Sequence, residues 1–103
     1  MPGVMADETS HSWLFLSNHG SVLLSLAGNP TISTSEIAQH AGVEERTVQR
    51  VVGDLVAEGY VVRRREGRYD RYEINRKARL RHPLFQHVEI GPLIDALERG
   101  RRD

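Results

Sequence analysis

Between Ser33 and Gly59 the chain carries two helical patterns separated only by a glycine-marked turn, and strand-like residues follow at once. This order constrains the fold most, because two short helices joined so tightly must cross steeply and bury a shared face. Ser33 and Glu36 form an S-x-x-E capping box. In such a box the serine oxygen accepts from the third backbone N–H, and the glutamate reaches back to the serine N–H. The spacing predicts a helix over 34–40 with Ile37, Ala38 and Ala41 facing inward. Gly42 closes it, since glycine takes the left-handed conformation without penalty, and Val43 follows as a buried pivot. The next helix starts at Glu44 or Glu45 and ends at Gly59, with Val48, Val51, Val52 and Leu55 on one stripe.

The flanking stretches add to this unit. Residues 1–12 are polar and without period, as in a mobile tail. Trp13 to Leu16 is a short apolar run read as extended, and Ser17-Asn18 offers side-chain oxygens for a helix start. Val22, Leu23, Leu26 and Ala27 recur at helical spacing until Gly28-Asn29-Pro30 stops the helix, and Thr31-Ile32 is read as extended. After Gly59, Tyr60–Arg63 and Tyr69–Ile74 are β-rich and separated by Arg64–Arg68, with Gly67 as the turn residue. Residues 75–87 are polar and irregular, and Gly91-Pro92 opens a last helix with Pro92 at its first position. Ile90, Leu93, Ile94 and Leu97 form its apolar stripe, and residues 99–103 fray. The expected fold is mainly α with a small β-hairpin: a winged helix-turn-helix over 13–75, then a linker and a short C-terminal helix over 76–103.

Composition excludes several alternatives. A chain of 103 residues suffices for one domain and not for two. There is no cysteine, so disulfides, thiol catalysis and cysteine metal sites are excluded. No apolar run approaches the roughly 20 residues of a membrane span, and the first residues lack the basic and apolar regions of a signal peptide. A soluble, cytoplasmic protein is expected. P-loop, G-x-G-x-x-G, G-x-S-x-G and H-E-x-x-H motifs are all missing, so neither an enzyme nor a cofactor is expected.

Net charge is zero, yet its distribution is uneven. Residues 1–43 hold three acids and no Lys or Arg, whereas residues 59–82 hold nine basic and three acidic residues. Thirteen of the 14 basic residues are arginine, the side chain suited to bidentate contacts with phosphate and guanine. A basic band inside a neutral chain is the electrostatic footprint of a polyanion-binding face.

The motif Ser33-x-x-Glu36-Ile37-Ala38-x-x-Ala41-Gly42-Val43, followed by Arg46-Thr47-Val48-Gln49-Arg50, resembles winged helix-turn-helix regulators of the MarR and ArsR-like type. Leu55-x-x-x-Gly59-Tyr60-Val61 and Arg68-Tyr69-Asp70-Arg71-Tyr72 extend the resemblance over about residues 17–75. Two positions depart from the pattern. Glu44 stands where Ser or Thr usually caps the third helix, and its carboxylate is expected to accept the same bond. Gly53 lies mid-helix on the outer face, at a cost of roughly 1 kcal/mol against Ala.

With Val48, Val51, Val52 and Leu55 turned inward, Arg46, Gln49, Arg50 and Gly53 point outward. An α-helix fits the major groove, where Arg pairs with guanine and Gln with adenine. Arg46, Thr47, Gln49 and Arg50, on a recognition helix of about 45–58, are therefore the candidate base readers. Arg64, Arg65, Arg68 and Arg71, on a wing of about 63–71, are candidates for backbone or minor-groove contact, with Arg68 foremost because it has the fewest acidic neighbours. Arg71 is expected to pair with Asp70 or Glu73. The blander reading of both sets is a solvated polar surface.

The function expected is a sequence-specific, double-stranded DNA-binding regulator acting as a homodimer. Trp13, Ile90, Leu93, Ile94 and Leu97 are the expected dimer residues, unless both chain ends close over the first helix of the same chain. The alternatives are a winged-helix protein-docking module and a metal- or ligand-responsive repressor. His11, His19, His40, His82 and His87 show no H-x-x-x-H spacing on a helix, so no metal ligands are assigned. The effector, if one exists, is unknown.

Overall fold

The computed structural model describes residues 15–102. The expected tail of residues 1–12, and Trp13, lie outside the described residues. Helix α1 spans Asn18–Gly28, α2 Thr34–Ala41 and α3 Glu45–Ala57, followed by strands β1 (Val61–Glu66) and β2 (Tyr69–Ile74) and helix α4 (Ile90–Arg102). The fold is a winged helix: three helices, an antiparallel hairpin, and a fourth helix laid across the first.

Local chemistry sets the helix ends. Ser17 caps α1, its hydroxyl accepting from the Gly20 N–H at 3.3 Å. The capping box of α2 is complete, with Glu36 N–H donating to Ser33 Oγ at 3.0 Å and Ser33 N–H to Glu36 Oε1 at 3.2 Å. Gly42 follows at φ +72°, a left-handed value that makes the turn tight. Glu44 precedes α3 but makes no side-chain capping bond, contrary to expectation. Its neighbour Glu45 instead accepts from Thr34 Oγ1 at 2.7 Å, tying the start of α3 to the start of α2.

Val22 and Leu26 of α1, Ile32, Ile37 and Ala38, and all four predicted residues of α3 form the main core, closed by Val61 and Tyr72 of the hairpin. Ala41 and Val43, expected inside, are half-buried. A second cluster joins Leu24 of α1 to Ile90 and Ile94 of α4, with Leu16, Leu80 and Leu97 at its margin. Helix α1 is thus buried on two sides, which a single stripe read from its sequence does not anticipate.

Several boundaries differ from expectation. Phe15 and Leu16 form a bend and not an extended run. Thr31-Ile32 forms no strand, and the Pro30 carbonyl before it accepts from the Tyr72 N–H at 2.9 Å. The strands continue to Glu66 and from Tyr69, so the expected five-residue connection shrinks to Gly67-Arg68. Gly67 has φ +62° and Arg68 does not share the positive sign, which separates a II′ from a I′ turn. Helix α4 begins at Ile90, so Pro92 is its third residue and not its first. The earlier start is possible because the Ile90 and Gly91 N–H groups donate to Ala78 and Arg76 carbonyls at 2.8 and 2.9 Å. Gly91 permits this approach, since a Cβ there would lie 3.0 Å from the Arg76 oxygen. The expected fraying at 99–102 does not occur, and α4 runs to Arg102.

Candidate nucleic-acid interface

Helix α3 is held by its buried valines and Leu55, and this fixes which side chains it shows to solvent. Arg46, Gln49, Arg50 and Gly53 are all exposed, while Thr47 sits half-buried on the shoulder. A Cβ at Gly53 would meet nothing within 4 Å, so the surface above that turn is open. Arg46 has no ion partner among the described residues. Arg50 has a loose one, Asp54 one turn later, at 3.7 Å. The same Asp54 oxygen, Oδ2, lies 2.8 Å from His19 Nε2 on the first turn of α1.

The hairpin sorts its residues by strand alternation. Val61 and Tyr72 are buried, so Arg63 and Arg65 share their face, and Arg64 and Arg71 lie on the other. Arg63 lies opposite Tyr72 with its guanidinium 5.6 Å from the ring centroid, a cation–π contact. Arg64 pairs with Glu73 at 3.0 Å, and Arg65 with Asp70 at 3.4 Å while also donating to the Gly67 carbonyl. Arg71 was expected to take one of these acids, but the cross-strand register gives both to β1. Arg64 and Arg71 face each other directly, a like-charge pair that is locally unfavourable without an anion. Arg68, at the turn, has no ion partner among the described residues.

The remaining candidates are distributed as follows. Ile90 and Ile94 are buried against α1, Leu97 is half-buried beside them, and Leu93 is 41% exposed. Leu84, Phe85 and Val88, between the wing and α4, are also exposed. His82 caps a 3-10 turn over Pro83–Phe85 by accepting from the Leu84 N–H. No group of three His, Asp or Glu that could hold a metal occurs among the described residues. No helix among them is long and apolar enough to cross a membrane. Tyr60 joins the wing base to the following segment through a 2.7 Å bond to the Arg79 carbonyl, and its partial burial raises its pKa.

Sequence reasoning missed His19 and Asp54. The Arg50–Asp54 spacing is a visible i, i+4 pair, but nothing local connects it to residue 19.

The crystal structure of the predicted DNA-binding transcriptional regulator from E. coli is similar to this chain at a TM-score of 0.56 and 19% identity. The alignment covers 77% of this chain and 72% of that one, and it shows a likeness of fold. No curated protein matches the chain. The model of the MarR family matches residues 16–71, which is more than half of the 103 residues and takes in α1, the helix-turn-helix and most of the wing. The chain belongs to the MarR family.

Proposed function

We propose that the protein is a regulator of transcription, not an enzyme, that binds double-stranded DNA sequence-specifically. The observation that carries this reading is the outward face of α3. Arg46, Gln49 and Arg50 stand exposed there around an open Gly53, and no large exposed hydrophobic residue lies on that helix. A protein-docking surface would need apolar anchors in that place. Helix α3 enters the major groove with Arg46, Gln49 and Arg50 on base edges and Thr47 at the margin. On the wing, Arg68 and Arg71 meet the backbone or minor groove, while Arg64 and Arg65 add contacts once they leave their acids.

The working form is a cytoplasmic homodimer, which places two α3 helices about one DNA turn, roughly 34 Å, apart on a palindromic site. Ile90, Ile94 and Leu97 already pack within the chain. Leu93 of α4, the exposed Leu84, Phe85 and Val88, and Phe15 just before α1 are apolar residues left open for a partner copy. Trp13 lies outside the described residues.

Selection from a pool of random duplexes, followed by gel shift on the enriched site, tests this directly. A palindromic consensus is expected, with affinity falling steeply between low and physiological salt as phosphate contacts release counterions. Failure to enrich any duplex would end the DNA reading. Leu93→Glu should give a folded monomer with weakened binding, and light scattering showing the unmodified protein to be monomeric at tens of micromolar would end the dimer.

A further inference from the structure

We infer that His19 is a positioning residue for recognition: by holding Asp54, it keeps the carboxylate from drawing Arg50 away from DNA. This rests on the DNA-binding reading of α3 given above.

Asp54 and Arg50 lie one turn apart on α3, so the carboxylate can pull the guanidinium along the helix surface, away from a groove. Asp54 also brings a negative charge to the edge of a face that is to meet phosphates. His19 answers both effects. Its Nε2 lies 2.8 Å from Asp54 Oδ2, whereas Arg50 stands 3.7 Å from that same oxygen. The shorter bond is the one between helices, and the ion pair within α3 is the loose one. His19 sits on the first turn of α1, whose position is set by Val22 and Leu26 in the core, so the imidazole reaches Asp54 from a rigid base. Arg50 is thereby left with its side chain 61% exposed and weakly held.

The surrounding charges leave this arrangement local. Glu58, one turn beyond Asp54, is matched by Arg81 at 3.7 Å. Glu98 and Arg101 of α4 approach α1 at Gly28, nine residues and roughly 13 Å along the helix from His19. Among the described residues Asp54 is the charged group in contact with the imidazole, and Arg50 is the next one along. Protonation of the imidazole strengthens its hold on Asp54 and cancels that charge.

The test is a double-mutant cycle of His19→Ala and Asp54→Asn, read by duplex affinity. His19→Ala should weaken binding by about two- to fivefold, the size an exposed ion pair can exert. In the Asp54→Asn background the same change should have no effect, because no carboxylate remains to compete for Arg50. An equal loss in both backgrounds, or none in either, overturns the inference. A DNA-free arm separates it from the DNA reading: the Arg50 Nε–H resonance, followed by NMR, should shift on His19→Ala in the otherwise unmodified protein and not in the Asp54→Asn background. Movement without any duplex binding would keep the coupling and end the DNA reading. A resonance indifferent to His19 overturns the coupling whether or not DNA binds.

Discussion

Helix α3 and the wing are both rich in arginine, but they hold it in opposite ways. On α3 Arg46 is unpaired among the described residues and Arg50 only loosely paired. On the wing Arg64 and Arg65 are engaged by Glu73 and Asp70, and Arg63 lies over Tyr72. The wing has more positive charge by count, but a larger share of it is engaged. The difference comes from geometry. A two-residue turn brings β2 alongside β1 and sets its acids within reach of the β1 arginines. A helix whose inner stripe is wholly apolar sends its polar residues outward, where those of its own helix three or four positions away are their nearest neighbours. Discrimination should thus come from α3, and the wing should contribute chiefly through Arg68 and Arg71.

The largest effect that can break this comparison is at α3. Arg50→Ala or Gln49→Ala should cost roughly 1–3 kcal/mol at the cognate duplex and relax preference at one position. Repeating the duplex selection with each variant checks this, and an unchanged consensus from folded protein would remove the base-reading role. Next is the turn that creates the wing. Gly67→Ala should lower stability by about 1–2 kcal/mol, because its φ of +62° is strained for an L side chain. Thermal melting measures the loss, and an unchanged midpoint would mean that the hairpin tolerates another turn.

Smaller effects sharpen the contrast within the wing. Arg68→Ala should weaken binding to many duplexes alike and reduce the salt slope by about one, as expected for one phosphate contact. Arg64→Ala should do less, since its charge is already shared with Glu73. Equal slopes for the two variants would show that internal pairing does not ration wing charge. Smallest of all, Glu73→Gln should tighten binding by a few tenths of a kcal/mol by releasing Arg64, a change that titration at low salt can resolve.

Much of this was legible in the chain because the signals are local. The capping box at Ser33 and Glu36, the left-handed Gly42 and the valine stripe of α3 each depend on residues within a few positions, and each appears in the fold as read. The outward face of α3 follows directly, because turning one stripe inward leaves no choice for the other. Errors gather where distant segments meet. Leu24 is buried because α4 covers it, and α4 starts early because carbonyls of residues 76 and 78 receive its first N–H groups. Wing pairing was misjudged at Arg71 because register, not proximity in sequence, assigns Asp70 and Glu73 to Arg65 and Arg64.

By itself, then, the sequence determined the elements, the helix-turn-helix and the residues that face outward on α3, since periodicity and capping act over a single turn of chain. Tertiary structure alone decided which charges are spent internally, which side of α4 is left open at Leu93, and that His19 meets Asp54 across 35 positions. Those outcomes depend on how rigid elements pack against one another, and hydrogen bonds and ion pairs change over fractions of an ångström that no local pattern encodes.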